Sequence, residues 1–251
     1  GFGVPQSAIA QESLFDELAD KLGLDRLDFR ILNALDNNDA TVCGQSFSQG
    51  VGIKACLEAL KPAWHAERKA AQESTTDQVR IGVGLAAGWY GCGNTSLPNP
   101  STIKSGIRAD GSIVLHQGAM DIGQGANTVI TQIFATALGV SPMLVTRIGP
   151  DTDATPDAGK TSASRQTYVS GKAAELSGLA LRGQILALVN ASDGAALTFT
   201  KAGIEVQDGD RRHRVPYPAA DDEGFSFRAI ETYDPPTKPL DANGQGEPYA
   251  Q

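Results

Sequence analysis

The spacing of the hydrophobic residues changes once, near residue 79, and this restricts the chain to a fold with separate helix-rich and sheet-rich parts. Before that point apolar residues recur at helical spacing. Ile9, Leu14, Leu18 and Leu22 lie in one segment that Ser7 can cap and Gly23 can close. Asp25 can cap a second, with Leu27, Ile31 and Leu35 facing inward and Asp28 at the capping-box position. The polar run "DNNDATVCGQSFSQG" leads to a third helix over about 51–60, which Pro62 should kink or restart.

Beyond residue 79 strands and turns take over. "VRIGVGLAAGWY" reads as a buried strand, and "STIKSGIRADGSIVLHQGAM" as a hairpin turning at Asp110-Gly111. "MLVTRIG" is a short strand. "ALTFTKAGIEVQDGDRRHRV" is a ribbon turning at Ala202-Gly203 and Asp208-Gly209, and "GFSFRAIETY" is a last strand before an extended tail. Two helices interrupt this pattern. One has its stripe at Val129, Ile130, Ile133, Phe134, Ala137 and Leu138. A longer one, from about 164 to 190, has Val169, Ala173, Leu176, Ala180 and Leu188. The expected fold class is α+β, with layered helices on mixed or antiparallel sheets, hairpins and a long helix. The expected division is a helical segment over 1–78 and an α+β segment over 79–251.

Composition removes several classes of function. The chain has 251 residues, is 41% hydrophobic and 20% charged, and has a net charge of −8. An acidic chain without a Lys/Arg-rich run does not fit a nucleic-acid binder. No apolar stretch is long enough to span a bilayer. Cys43, Cys56 and Cys92 lack CxxC spacing and read as reduced, mostly buried thiols, which argues against an iron–sulfur or thiolate zinc site. His65, His116 and His213 are scattered, so protein-ligated metal is not expected. The start "GFGVPQ", without methionine or signal peptide, reads as that of a fragment or processed chain.

Two glycine-bearing loops run directly into helices: "GQGANT", Gly123 to Thr128, and "DAGKTSASRQT", Asp157 to Thr167. Helix N-termini carry unsatisfied N–H groups and partial positive charge, so both suit an anion such as phosphate. Ser162, Ser164 and Thr167 add hydroxyls, Lys160 a point charge and Arg165 a bidentate fork. "GKTS" imitates the end of a P-loop but lacks the earlier glycine. Either loop alone is equally well read as turning and helix capping. Together they point to a long ligand with several polar groups. Phe2 between two glycines, and Trp89 with Tyr90 near "GCGNTS", place aromatics beside bare backbone, although composition alone favours a core position for Phe2.

These stretches resemble the molybdenum-binding large subunit of the xanthine dehydrogenase and aldehyde oxidoreductase family. The similar pieces are "GFGVPQSAIAQESLFDELADKLGLDRLDFRILNAL", "DGSIVLHQGAMDIGQGANT", "TPDAGKTSASRQTYVSGKA" and the tail "TYDPPTKPLDANGQGEPYAQ". The resemblance implies a molybdopterin cofactor, usually in the cytosine dinucleotide form in bacteria, with molybdenum held through the pterin and not by side chains. It implies that Ile122, Gly123, Gln124 and Gly125 lie along the pterin. Thr161, Ser162, Ala163, Ser164, Arg165 and Gln166 would lie along the pterin, phosphates and nucleotide. Gly1 and Gly3 would border the cofactor, and Phe2 would line the substrate channel. The implied reaction is hydroxylation of an aldehyde or N-heteroaromatic with water as oxygen source. Electrons would leave through 2Fe-2S clusters, and in some members FAD, on other domains or subunits.

Gly93 stands where animal xanthine enzymes carry a second channel aromatic. Glu247, in "GQGEPYA", imitates the family's catalytic glutamate, but its neighbours match a connector, so no catalytic base is expected here. The chain therefore reads as a central fragment, inactive alone, whose partners are the rest of the molybdenum subunit and iron–sulfur and flavin subunits. The expected compartment is cytoplasmic, with periplasmic export known in such families. The rival reading is a non-catalytic nucleotide-binding or subunit-packing module.

Overall fold

A computed structural model describes residues 3–89 and 96–246. The expectations at Gly1, Phe2, Tyr90, Cys92, Gly93 and Glu247 lie outside these residues. The chain forms two compact units, residues 1–90 and 91–250.

The first unit holds helices α1 (Val4–Leu22), α2 (Arg26–Asn33) and α3 (Ile53–Ser74). Helix α1 begins three residues before the expected Ser7. Pro5 lies in its first turn, where its fixed φ suits a helix and its missing N–H costs nothing. Gly23 closes α1 in the left-handed conformation, φ 67°. Asp25 caps α2 as expected, accepting from the N–H groups of Leu27 and Asp28. The same carboxylate accepts from Trp64 Nε1 at 2.9 Å and pairs with Arg68, tying α2 to α3. Helix α3 runs through Pro62 without a break. Leu27, Leu57 and Trp64 form the small core.

Three expectations fail in this unit. Ile9, Leu14, Leu18 and Leu22 are exposed, and α1 buries Glu12 and Ala19 instead. The burial of Glu12 follows from its partners: its carboxylate accepts from Arg30 Nε at 2.7 Å and from Ala87 N–H at 3.0 Å. Residues 79–89 form no strand. Their Val83 and Leu85 pack on the helical core, and glycines at 82, 84 and 88 lower strand propensity. Cys43 and Cys56 are exposed, not buried.

The second unit is built on a mixed four-stranded sheet. Strands β1 (Ser101–Ile107) and β2 (Ile113–Gln117) form the expected hairpin, with Ile107 opposite Ile113 and Ile103 opposite Gln117. Strand β3 (Val145–Ile148) joins β2 in parallel. Strand β7 (Phe227–Tyr233) joins β1 antiparallel, giving the order β3-β2-β1-β7. The three-stranded antiparallel ribbon of β4 (Ala196–Thr200), β5 (Gly203–Asp208) and β6 (Arg211–Val215) forms a second sheet.

Helices α4 (Ala126–Leu138) and α5 (Gly171–Ala187) complete the core with Ile103, Ile107, Leu115, Ile130, Phe134 and Leu181. The inward face of α5 is Ala173, Ala174, Ser177, Gly178, Leu181 and Ile185. It is offset from the expected stripe, whose Leu188 is exposed. Small residues are needed here, because a Cβ on Gly178 would sit 2.7 Å from the Phe134 carbonyl oxygen of α4. The apolar count alone hid this face, since two of its members are Ser and Gly. The buried hydroxyls are paired: Ser105 with Ser177 at 2.6 Å and Ser101 with Ser170 at 2.8 Å.

His116 of β2 faces away from those helices. It is buried, and its Nδ1 lies 2.8 Å from the Ala154 carbonyl, holding the long loop that leaves β3. Burial pushes the imidazole below its usual pKa, with Lys104 and Arg108 adding to the effect; the Ala154 hydrogen bond and Glu223 oppose it. A depressed histidine pKa means that the unfolded chain takes up the proton first. Stability is therefore full above the ordinary value of about 6.5 and falls as pH drops below it. Urea midpoints should decrease between about pH 7.5 and pH 5.5. His116→Gln should flatten that slope, and an unchanged slope would exclude His116 as its source.

Candidate functional site

The two glycine-bearing loops lie on the same unit and touch. The first, residues 120–125, joins β2 to α4. Gly123 and Gly125 have φ of 107° and 81°, a left-handed backbone that glycine adopts without strain. A Cβ on either would meet nothing within 4 Å, so the loop's outer side is open. The glycines that open α4 are there for conformation.

Asp121 organises this loop from inside. Its carboxylate accepts from the N–H groups of Gly123 at 2.9 Å, Gly125 at 3.3 Å and Asn127 at 3.1 Å. The Asn127 and Gly123 bonds hold its pKa below the usual carboxylate range. Gln124 folds back on its own loop, accepting from Ile122 N–H at 2.7 Å and donating to the Met120 carbonyl at 3.3 Å. Gln117, fully buried at the end of β2, donates to Asn127 Oδ1 at 2.6 Å and accepts from Ala119 N–H. Met120 and Ile122 are left exposed on the outer side.

The second loop, residues 157–165, is shaped by Arg165. This side chain is 1% exposed. Its Nη1 donates to the carbonyls of Ala158 and Lys160, and its Nη2 to those of Asn99 and Pro100, the last two at 2.9 and 2.7 Å. The guanidinium thus gathers loop carbonyls, a different use from the outward phosphate fork expected of it. Gly159, φ 65°, admits it, since a Cβ there would lie 2.8 Å from Nη1. Ala163 and Ser164 both hold positive φ, 52° and 54°, and right-handed Arg165 follows. Left-handed residues other than glycine cost energy and cluster at functional sites. The Arg165 N–H turns back into the loop, donating to the Ser162 carbonyl at 3.3 Å.

A π-helical turn, Gln166–Ser170, then enters α5 where a plain helical start was expected. Such turns occur often at functional sites. Gln166 donates to the Lys160 carbonyl and to Thr161 Oγ1 and accepts from Ser170, whose hydroxyl meets Ser101 of β1. Thr161 Oγ1 donates to the Met120 carbonyl of the first loop at 2.8 Å. An unbroken path of hydrogen bonds therefore runs from the sheet to the second loop and on to the first.

The structure brings together Ile122, Gly123, Gln124, Gly125 and the run Thr161–Gln166; Gly3 caps α1 in the first unit. Sequence reasoning missed Asp121, Gln117, Asn127 and Ser170. Asp121 had a readable signal, an acid two and four residues before glycines that favour turn conformations. The other three depend on tertiary contacts. Among the described residues no cluster of three or more His, Cys, Asp or Glu side chains is arranged to hold a metal, and no helix is long and apolar enough to cross a membrane.

Residues 58–251 match the model of the molybdopterin cofactor-binding domain. The chain is 35% identical over 176 residues to the aldehyde oxidoreductase of Megalodesulfovibrio gigas, covering 69% of this chain and 19% of that protein. It is 35% identical over 194 residues to a putative xanthine dehydrogenase molybdenum-binding subunit of Escherichia coli, covering 74% of this chain and 25% of that protein. The crystal structure of the aldehyde oxidoreductase of Desulfovibrio desulfuricans superposes with a TM-score of 0.74 at 30% identity, covering 100% of this chain and 25% of that one. The chain thus spans about a fifth to a quarter of the length of the relatives it matches. With the family model running through both loops to the end of the sequence, the chain belongs to the molybdopterin cofactor-binding domain family.

Proposed function

We propose that this chain supplies the cofactor cradle of a molybdenum hydroxylase large subunit, and that the whole protein hydroxylates an aldehyde or N-heteroaromatic with water as oxygen source. The observation that carries this reading is the contact between the two loops at Thr161 and Met120. It forms one ledge from two pieces of chain that differ in chemistry. The residues present fit the group. Gly123 and Gly125 leave open space beside the exposed apolar side chains of Met120 and Ile122, which suits a flat ring. The hydroxyls of half-buried Ser162 and exposed Ser164 suit phosphate oxygens.

When bound, the molybdenum–pterin group supplies the two-electron redox chemistry, as cofactors generally do, while the protein binds and orients it. Here the backbone of 122–125 would carry the ring. The backbone and hydroxyls of 161–166 would carry the diphosphate and nucleotide. Gln124, Arg165 and Gln166 would act mainly by holding those backbones in place. Phe2 and Gly1 are proposed to border the substrate channel and cofactor. Glu247 is proposed to be a connector residue, so that the base lies elsewhere in the protein. The cytosine dinucleotide form, 2Fe-2S and flavin centres on partner domains or subunits, and a cytoplasmic site of action belong to the same proposal. Acid treatment of the native protein should release cytidine monophosphate in proportion to its molybdenum. Release of a different nucleotide, or of none, would reject the cytosine dinucleotide form.

A further inference from the structure

We propose that the outer edge of β4 is a docking site for an extended, uncharged segment from another part of the same polypeptide, which joins the three-stranded ribbon as a fourth strand. This inference is independent of the molybdopterin reading above.

In the hairpin of β4 and β5, Thr200 and Gly203 flank a two-residue turn and so exchange ladder hydrogen bonds, as does every second pair after them. Thr198 and Ala196 therefore point their backbone groups at β5, while Leu197 and Phe199 point theirs the other way. The same count from the next turn sends Ile204 and Val206, their opposite numbers, toward β6, so the two ladders agree. The N–H and C=O groups of Leu197 and Phe199 thus face an edge on which, among the described residues, no strand pairs. An open edge is a template for a further strand, and proteins commonly guard it with charge. Each of the two sheets has two edge strands. Strand β3 carries Arg147, β7 carries Arg228 and Glu231, and β6 carries Arg211, Arg212 and Arg214. Strand β4, "ALTFT", carries no charge at all.

This unguarded edge lines a cleft of about 380 Å³. The facing wall is the C-terminal end of α4, at Gly139 and Val140, with Leu144 beyond it, 58% exposed. No residue lining the cleft is charged. Both walls are braced by one side chain: Arg182 donates to the Leu138 carbonyl at the end of α4 and to the Asp193 and Ala195 carbonyls leading into β4. Such a cleft suits strand addition, in which backbone hydrogen bonds hold the segment and alternate side chains meet the apolar wall. The occupant is assigned to the same polypeptide on length and on shape. The chain spans 19% and 25% of the length of two relatives, so most of a protein of that size lies outside it. A tethered segment is also present at high effective concentration, which favours lasting cover of an edge. A second copy fits less well, because its β4 would bring its own α4 wall into the cleft.

The test uses the whole native protein that contains this chain, in two measurements. The first is hydrogen exchange at single-residue resolution in the wild type. The amides of Arg212 and Arg214 point outward from the guarded edge of β6 and serve as the uncovered reference. Those of Leu197 and Phe199 should exchange at least about a hundredfold more slowly, as amides bonded within a packed sheet do. Equal rates at the two edges would overturn the docking site. The second measurement puts a benzophenone amino acid in place of exposed Thr198, which lines the cleft, and identifies what it joins on illumination. The expected product has the mass of one polypeptide and links position 198 to an uncharged stretch outside these 251 residues. A product of doubled mass would identify a second copy, and a product with another subunit a separate partner. Either of these, or no product at all, would overturn the occupant named here.

Discussion

Arg165→Ala should lower the stability of the second unit by on the order of 3–4 kcal/mol, even with no cofactor bound. The side chain is 1% exposed and donates to four carbonyls, those of Ala158, Lys160, Asn99 and Pro100. Hydrogen bonds from a charged donor contribute about 1.5–3 kcal/mol each in isolation, and buried carbonyls left unpaired add a desolvation cost. Water entering the vacated space recovers part, so the sum stays well below four full bonds. Arg165→Lys keeps the charge but loses the planar fork, and should fall between wild type and alanine. The check is the denaturant midpoint of cofactor-free protein. An outward phosphate fork would behave differently: its loss would lower cofactor occupancy and leave cofactor-free stability unchanged.

The second large effect is expected in the helical unit. Glu12→Ala removes the carboxylate that accepts from Arg30 and Ala87 N–H, leaving a guanidinium 4% exposed. Breaking a buried ion pair on one side costs about 3–5 kcal/mol. Asp16, 2.9 Å from Arg30 Nη2, remains as a partner and places the expected loss near the lower end, about 3 kcal/mol. Replacing both residues with apolar ones of similar volume should recover most of that loss, because the desolvation penalty disappears with the charges. A double variant no more stable than Glu12→Ala would show that shape, and not charge pairing, sets the cost.

Local signals in the sequence were enough for most elements. The Asp25 cap, the Gly23 stop, the Asp110-Gly111 turn and the three-stranded ribbon all depend on residues within a few positions of one another, and all are present. The failures share a cause. The apolar positions of α1 mark a face without saying what meets it, and Glu12 is buried because Arg30, eighteen residues away, is there to receive it. The inward face of α5 was displaced because Gly178 and Ser177 fit against α4 and β1 better than leucine would. In the candidate site the backbone positions were legible from the glycines and from the family resemblance. The side-chain roles were not. Gln124 and Arg165 look outward-facing in a sequence, and only the fold shows them turned onto Met120 and onto the carbonyls of 99–100.

The central claim is that this chain holds a molybdenum–pterin group through its two touching loops. The most direct measurement is the molybdenum and pterin content of the native protein, by elemental analysis and by fluorescence of the oxidised pterin, in wild type and in a Thr161→Val variant that breaks the bond to Met120. The account predicts one molybdenum and one pterin per chain in the wild type, and lowered retention of both, in equal proportion, in the variant. A wild-type protein isolated without either from cells that make the cofactor would contradict it.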